Sequence, residues 1–243
     1  MTIVGLPLFA ALACVLVVYI GTTVQASLGI GLGMLSSPVL ALVDRDFVPV
    51  AILLAVIPLS SSVAWSERTH IDRRGAGLLL TGRIPGVVAG ALVVSSVSDT
   101  LLGLLVSGSV IAAVVVSIVG KKFVVGSTAL LAAGTASGFM ATTTGVGGPP
   151  VALTYQHETP ATMRATISAF FSIGAVMSFV VLLLADEVSG RSLQLTTLLV
   201  PSVALGIITA RLARNRLDAA VVRPAVLALC LVSATALLVE TVV

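Results

Sequence analysis

Charged residues are scarce in this sequence, and their scarcity excludes an ordinary water-soluble domain. Only 9% of the 243 residues are Asp, Glu, Lys or Arg, whereas 58% are hydrophobic, and the mean hydropathy is +1.18. Soluble globular domains carry about a quarter charged residues. The few charges sit in short clusters between long apolar stretches. The composition therefore predicts an integral membrane protein that is nearly all transmembrane helix.

Cysteine, histidine and acidic residues within the apolar stretches are also sparse, which argues against catalysis and metal binding. Cys14 and Cys230 lie in the middle of apolar stretches, where a small core residue is expected, and His70 and His157 fall in loops. Intramembrane proteases need aspartates within spans, or a Gly-x-Ser-Gly motif with a nearby histidine, and the sequence has neither. Metal-ligand spacings and a phosphate loop ending in Gly-Lys-Ser/Thr are absent too. We therefore expect no enzyme activity and no cofactor or metal.

Apolar stretches long enough to cross a bilayer dominate the chain. A helix needs about 20 residues to cross ~30 Å of hydrocarbon. The stretches of about this length are 6–28, 47–65, 76–96, 101–119, 123–142, 166–185, 193–210 and 220–240. Two further apolar segments, 30–43 and 146–156, are short and broken by glycine and proline. We predict one all-α membrane domain over residues 1–243, with eight long transmembrane helices and two short broken helices.

The two halves of the sequence are related by an internal repeat. A gapless shift of the sequence along itself aligns Gly29 with Gly145, Gly31 with Gly147, Ser62 with Ser178, Pro85 with Pro201, and Gly90 with Gly206. Several glycine and proline matches at one fixed shift indicate a duplicated unit. We place the repeats at approximately 1–119 and 120–243.

The distribution of positive charge predicts how the two short segments run. Cytoplasmic loops collect Lys and Arg. If each short segment crosses the membrane, ten of the 13 Lys and Arg residues fall on one face. Arg45 and Arg191 then fall on the other face, and Arg83 lies within a span. We therefore predict five crossing segments per repeat, an inverted second repeat, and termini outside the cytoplasm.

The broken segments occupy matching positions of the two repeats. The first contains Gly29, Gly31 and Gly33 followed by Ser36, Ser37 and Pro38, and the second contains Gly145, Gly147, Gly148 and Pro149. Interrupted helices at such positions point to a transport site near the middle of the membrane. A helix that restarts there directs N–H groups at the cavity, which suits a small anion. The alternative is that these glycines only allow close helix packing, as small-xxx-small pairs do.

These residues carry a resemblance to a known family. The pattern Gly29-x-Gly31-x-Gly33…Pro38-x-Leu40, its counterpart Gly145-x-Gly147-Gly148-Pro149-Pro150, and the 4+4 layout of long helices resemble the TauE/SafE sulfite-exporter family. That family is also called the 4-toluene sulfonate uptake permease family, and the resemblance covers essentially the whole chain. It implies secondary transport of sulfite, sulfonates or other small organic anions, by import or export. Leu32 departs from the family pattern, because many members have glycine there.

Polar side chains next to the broken segments add candidate ligands. Thr142, Thr143 and Thr144 lead into the second glycine loop, Gln25 precedes the first loop, and Gln156 ends the second segment. These groups can donate hydrogen bonds to an anion without burying a charge. The alternative for each hydroxyl is a hydrogen bond to a carbonyl of its own helix.

Arg83 lies well inside the predicted span 76–96, about two helical turns from its start. A cation at that depth is costly and suggests a functional role. The alternative is that the long side chain snorkels to the cytoplasmic interface. The spans carry this arginine and many hydroxyls but no carboxylate near their middle, which favours an anion over a cation.

These features predict a multi-pass protein of the cell (inner or plasma) membrane that transports small anions by alternating access. The predicted substrate-binding residues are Gln25, Gly29, Gly31, Gly33, Ser36, Ser37, Pro38, Arg83, Thr142, Thr143, Thr144, Gly145, Gly147, Gly148, Pro149 and Gln156. The expected partners are a small anion, most directly sulfite, a sulfonate or a related organic anion, and membrane lipid. No nucleic acid is expected, and a homodimer is left open. An anion channel and a non-transporting assembly factor are the alternatives.

Overall fold

In the part of the chain that the structure describes, residues 2–119, 125–213 and 219–242 of a computed structural model, ten α-helices form the fold. The helices are α1 (Leu8–Leu28), α2 (Leu32–Val43), α3 (Val50–Ser66), α4 (Arg73–Val94), α5 (Asp99–Val119), α6 (Ser127–Thr144), α7 (Gly148–Thr154), α8 (Pro160–Leu184), α9 (Gly190–Ala213) and α10 (Ala219–Val242). A two-stranded antiparallel hairpin, β1 (Thr2–Ile3) and β2 (Leu6–Pro7), precedes α1.

Within the described residues, seven helical stretches are long and apolar enough to cross a membrane, so the predicted all-α membrane fold is confirmed. They are Leu8–Leu28, Arg45–Ser66, Arg73–Val94, Thr100–Ile118, Pro160–Leu184, Gly190–Leu212 and Pro224–Val242. The count of eight long transmembrane helices is not confirmed. Helix α6 is continuous over 18 residues, but half of them are Ser, Thr or Gly, and it is not among the seven. The basic residues Lys121, Lys122, Arg214 and Arg216 lie outside the described residues.

Glycine backbone geometry breaks the chain at both predicted interruptions. Helix α1 ends at Gly29 with φ +90°, and α6 ends at Gly145 with φ +73°, in the left-handed region that favours glycine. Gly31, with φ +150°, immediately precedes α2. The predicted short segments 30–43 and 146–156 correspond to α2 and to the shorter α7. Each is a distinct helix separated from its predecessor by a few residues.

Two ion pairs lie at opposite ends of the helix bundle. Asp44, just before α3, pairs with Arg191 at 2.8 Å, and Glu67, just after α3, pairs with Arg164 at 2.8 Å. Arg191 also donates to the carbonyl of Val4 at 2.6 Å. The 17 residues of α3 separate the two pairs by about 25 Å, at ~1.5 Å per residue. We name these the Asp44 end and the Glu67 end.

Helices α2 and α7 leave the interior toward opposite ends. Helix α2 finishes at Val43, next to the Asp44 end. Helix α7 finishes before Tyr155, whose hydroxyl donates to Asp72 at 2.9 Å near the Glu67 end. Each short helix therefore connects the interior of the bundle to one of its ends, and the two ends differ.

Helices of the first half of the chain pack against helices of the second half. Helix α4 packs against α6, and α9 packs against α1, while α3 packs against α8 and α5 against α10. The α4–α6 contact is close because glycines line it. A Cβ atom at Gly82 would overlap the carbonyl oxygen of Leu131, and one at Gly86 would overlap that of Thr135. Small residues permit such close helix packing in membranes.

Candidate functional site

The two broken segments are in direct backbone contact in the interior of the bundle. A Cβ atom at Gly33 would overlap the carbonyl oxygen of Gly145, and it would lie 3.1 Å from the carbonyl carbon of that residue. A Cβ at Gly145 would lie 3.1 Å from the hydroxyl of Ser37 and from the side chain of Ile52. The two broken segments therefore meet in the interior, and the contact leaves no room for a side chain at Gly33.

A small cavity lies at this junction. Its polar lining combines the first broken segment (Gly31, Gly33), the second (Gly145, Gly147, Gly148), and the side chains of Gln25 and Arg83. The volume of the cavity is about 30 Å³. One water needs roughly 10–15 Å³ by this measure. The cavity thus has room for a few waters, and a larger anion requires the surrounding helices to move.

Arg83 is buried in this cavity and does not reach an interface. Its side chain is 1% exposed, so the snorkelling interpretation is wrong. Its Nη2 donates to the hydroxyl of Ser178 on α8 at 3.1 Å, and its guanidinium carbon lies 5.0 Å from the centre of the Phe170 ring. Among the described residues, Nε and Nη1 have no hydrogen-bond acceptor. Buried donors without acceptors are costly, so these two nitrogens are available to a water molecule or a ligand.

Two glycines direct the Arg83 side chain toward α8. A Cβ at Gly138 on α6 would lie 2.7 Å from the carbonyl oxygen of Arg83 and 2.8 Å from its Cγ, so α6 closes one side. On the other side, a Cβ at Gly174 would lie 2.6 Å from the guanidinium carbon. The missing side chain at Gly174 therefore provides the space that the guanidinium occupies.

Gln25 connects the end of α1 to the start of α2. Its side-chain oxygen accepts a hydrogen bond from the backbone N–H of Leu32 at 3.0 Å, and the residue is 5% exposed. The first N–H groups of a helix lack intrahelical partners, and this bond satisfies one of them. The amide nitrogen of Gln25 carries two further donors on a side chain that lines the cavity.

Seven of the predicted site residues line the cavity, and the others lie around it. The seven are Gln25, Gly31, Gly33, Arg83, Gly145, Gly147 and Gly148. Gly29 packs against the backbone of Arg164 at the Glu67 end, and Gln156 follows α7 near the same end. Ser36, Ser37, Pro38 and Pro149 are buried in α2 and α7. The role of all these residues in substrate binding stays a prediction.

The three threonines before Gly145 are not among the residues that line the cavity. Thr143 donates to the carbonyl of Phe139 at 2.9 Å, and Thr144 donates to that of Met140 at 2.7 Å. Both hydroxyls therefore bond carbonyls of their own helix, which was the alternative to a role as ligands. Thr142 differs, because its hydroxyl donates to Ser178 at 2.8 Å. Thr142 is thus connected to Arg83 through the hydroxyl of Ser178, and it orients the group that holds the guanidinium.

The apolar wall of the cavity was missed by sequence reasoning. It is formed by Met34, Leu53, Val56, Ala141, Phe171 and Ala175. In the sequence these residues are indistinguishable from other apolar residues of α2, α3, α6 and α8. Ser178 did carry a signal, because it aligns with Ser62 in the repeat.

The electrostatic environment of the cavity is dominated by one positive charge. Arg83 is the charged residue among the described residues that line it. The ion pairs found in the described chain, Glu67 with Arg164 and Asp44 with Arg191, are located at the two ends of the bundle. Neither pair supplies a carboxylate to Arg83. The arrangement can therefore accept an anion against the unpartnered nitrogens of the guanidinium.

Comparison with known proteins gives one finding. A family model described as "Sulfite exporter TauE/SafE" matches residues 13–237, which is nearly the whole chain. No curated protein and no solved structure gives a significant match.

Proposed function

The chain belongs to the sulfite exporter TauE/SafE family, a family of membrane transporters, and we propose that it is a secondary transporter of small anions. The proposed substrates are sulfite, sulfonates or related organic anions. Their oxygen atoms match the N–H groups that the site offers. The transporter is placed in the cell membrane, and it carries out no chemical reaction on its substrate.

The observation that carries this proposal is the buried, incompletely bonded guanidinium of Arg83. It lies where both broken segments meet, and it retains two nitrogens without an acceptor in the described chain. Arginine stays protonated in proteins, so the charge is permanent. Hydrogen bonds between a charged donor and an oxyanion are stronger than those between neutral groups. An anion entering the cavity would satisfy the charge and the donors together.

The helix packing supports an inverted repeat as the basis of alternating access. The shift that aligns Gly29 with Gly145 relates α1 to α6, α3 to α8, α4 to α9 and α5 to α10. Under this relation the α1–α9 contact corresponds to the α6–α4 contact, while α3–α8 and α5–α10 each correspond to themselves. Inverted-repeat transporters move one group of helices against another around a central site.

The distribution of arginines supports a cytoplasmic location for the Glu67 end. Arg68, Arg73 and Arg74 follow α3 or begin α4, and Arg164 pairs with Glu67. Because cytoplasmic segments are enriched in Lys and Arg, this end is proposed to face the cytoplasm. The Asp44 end, which holds the N-terminal hairpin through Arg191, then faces the opposite side.

Ligand binding to Arg83 variants tests the proposal. The purified parent, Arg83→Gln and Arg83→Lys would be titrated with sulfite, methanesulfonate and thiosulfate, and thermal stabilisation would be measured. Loss of a hydrogen bond to a charged group costs about 1.5–3 kcal/mol, so Arg83→Gln should weaken anion binding by about 10- to 150-fold. Arg83→Lys should recover part of the affinity, because a charge remains while the planar guanidinium is lost.

Two further variants test whether anion binding requires the Arg83 guanidinium at its observed position or only an arginine in the protein. Gly174→Ala keeps Arg83 but fills the space of its guanidinium, and it should weaken binding as Arg83→Gln does. Arg211→Gln is the matched control, because Arg211 bonds Ser62 at an exposed site near the end of α9. Equal anion affinity in the parent, Arg83→Gln and Gly174→Ala would contradict the proposed site. Saturable uptake of cations without uptake of any tested anion would contradict the substrate class.

A further inference from the structure

If the proposed function is correct, the net charge of the cavity determines whether the transporter can change conformation without a bound anion. Arg83 contributes one positive charge, and no acidic side chain of the described residues lines the cavity. We propose that the transporter is an exchanger that takes one monovalent anion in each direction. The occupied site is then neutral, and the empty site carries an unpaired buried cation.

Without a bound anion, the transporter leaves Arg83 without a counterion. Its guanidinium is 1% exposed, with Nε and Nη1 lacking acceptors in the described chain. In a conformation in which the cavity is open to water on one side, the guanidinium can be hydrated. In a conformation closed on both sides, the cavity has room for only a few waters, and a buried charge without a counterion is strongly disfavoured. The empty transporter should therefore pass slowly through the closed conformation.

A bound monovalent anion removes the net charge of the occupied cavity. A monovalent oxyanion neutralises Arg83 and accepts hydrogen bonds from its free nitrogens, so the closed conformation contains a compensated ion pair. Removing one partner of a buried ion pair is strongly destabilising, because the remaining charge is then buried without compensation. The occupied form should therefore interconvert faster than the empty form. Faster movement when occupied is the property that defines an exchanger.

The charge of the substrate determines whether the occupied cavity is neutral. A divalent anion would leave one negative charge uncompensated against Met34, Leu53, Val56 and Phe171, which offer no hydrogen-bond donors from their side chains. The arginines of the two ends cannot compensate it, because Arg164 is engaged with Glu67 and Arg191 with Asp44. The site should therefore discriminate against dianions of the same shape.

The experiment compares methanesulfonate with sulfate, two tetrahedral anions that differ in charge. Proteoliposomes loaded with labelled methanesulfonate would be diluted into buffer that contains no permeant anion, unlabelled methanesulfonate, or sulfate. The membrane potential would be held near zero with potassium and valinomycin. External methanesulfonate should accelerate efflux about tenfold or more, which corresponds to a difference of about 1.4 kcal/mol between the barriers for empty and occupied return. Sulfate should give no acceleration.

A change in membrane potential and a variant provide independent readouts. Exchange of methanesulfonate should not respond to an imposed potential, because the moving unit is neutral. In Arg83→Gln the exchange rate should fall, but the ratio of exchange to net efflux should approach one, because the empty site is no longer charged. Arg211→Gln should keep the ratio of the parent. A variant that merely misfolds would lose both fluxes together and would bind no methanesulfonate, so ligand binding is checked in parallel.

The possible failures are distinguishable. Net efflux as fast as exchange, acceleration by sulfate equal to that by methanesulfonate, or exchange that follows the potential would overturn the exchanger and leave anion transport intact. Absence of any flux of methanesulfonate or of labelled sulfite, with or without external anion, would overturn the proposed function itself.

Discussion

The contact between Gly33 and Gly145 gives a sharp test of the site geometry. Gly33→Ala adds one methyl group, whose carbon would overlap the carbonyl oxygen of Gly145 and lie 3.1 Å from its carbonyl carbon. Non-bonded carbon atoms prefer separations of ~3.5–4.0 Å, so the two segments must move apart by roughly 0.5–1 Å. The obstructing atoms belong to the backbone and cannot rotate away. We expect both the stability and the cavity to be affected.

The magnitude follows from two opposing effects. Overpacking of a well-packed interior costs about 1–3 kcal/mol. Alanine favours a helix over glycine by about 0.5–1 kcal/mol, and Gly33 lies in the first turn of α2. The matched control is Gly77→Ala in α4, where a Cβ atom would meet nothing within 4 Å. Gly77→Ala keeps the helical gain without the overlap, so the two variants should differ by about 1–3 kcal/mol.

Thermal unfolding in detergent and methanesulfonate flux in proteoliposomes would measure the effect. Gly33→Ala should unfold at a lower temperature than Gly77→Ala and should lose flux at temperatures where it remains folded. Gly77→Ala should match or exceed the stability of the parent and transport normally. Parent-like stability and flux in Gly33→Ala would refute the close contact of the two broken segments.

Two other predictions concern the ends of the bundle. Single cysteines would be introduced as His70→Cys and Val188→Cys in a variant without the native cysteines. They should react with a membrane-impermeant reagent from opposite sides of the membrane. Labelling from the same side would contradict the prediction of five crossing segments per repeat. Glu67→Gln should cost about 3–5 kcal/mol of stability, because it leaves a largely buried arginine without its carboxylate. Asp44→Asn should cost at most about 1 kcal/mol, because its partner is 31% exposed, and equal losses in chemical unfolding would contradict the ranking by burial.

The sequence determined the class of fold and the places where helices break, because both depend on local properties. The thickness of the bilayer fixes how many apolar residues a crossing helix needs. The helices accordingly start and end close to the predicted bounds. Gly29 and Gly145 end their helices because glycine adopts left-handed backbone geometry at little cost. The family resemblance rested on the same glycine patterns, and the family model matches the chain accordingly.

The direction of Arg83 was decided only by the tertiary structure. In the sequence the residue fitted a snorkelling role as well as a functional one. Its orientation depends on Gly138, which brings the α6 backbone close, and on Gly174, which leaves space on α8. Neither glycine is near Arg83 in the chain, and neither belongs to a motif that sequence reasoning identified.

The same distinction applies to the other polar residues of the candidate site. Thr143 and Thr144 were equally plausible as ligands and as donors to their own helices, and their rotation within α6 turns their hydroxyls to helix carbonyls. Gln25 contributes to the site by capping Leu32 across the first break, a contact that exists only when α2 folds back along α1. Backbone conformation and hydrophobic length are encoded locally, whereas the direction of a side chain and the charge balance of a cavity are set by helices that meet only in the folded protein.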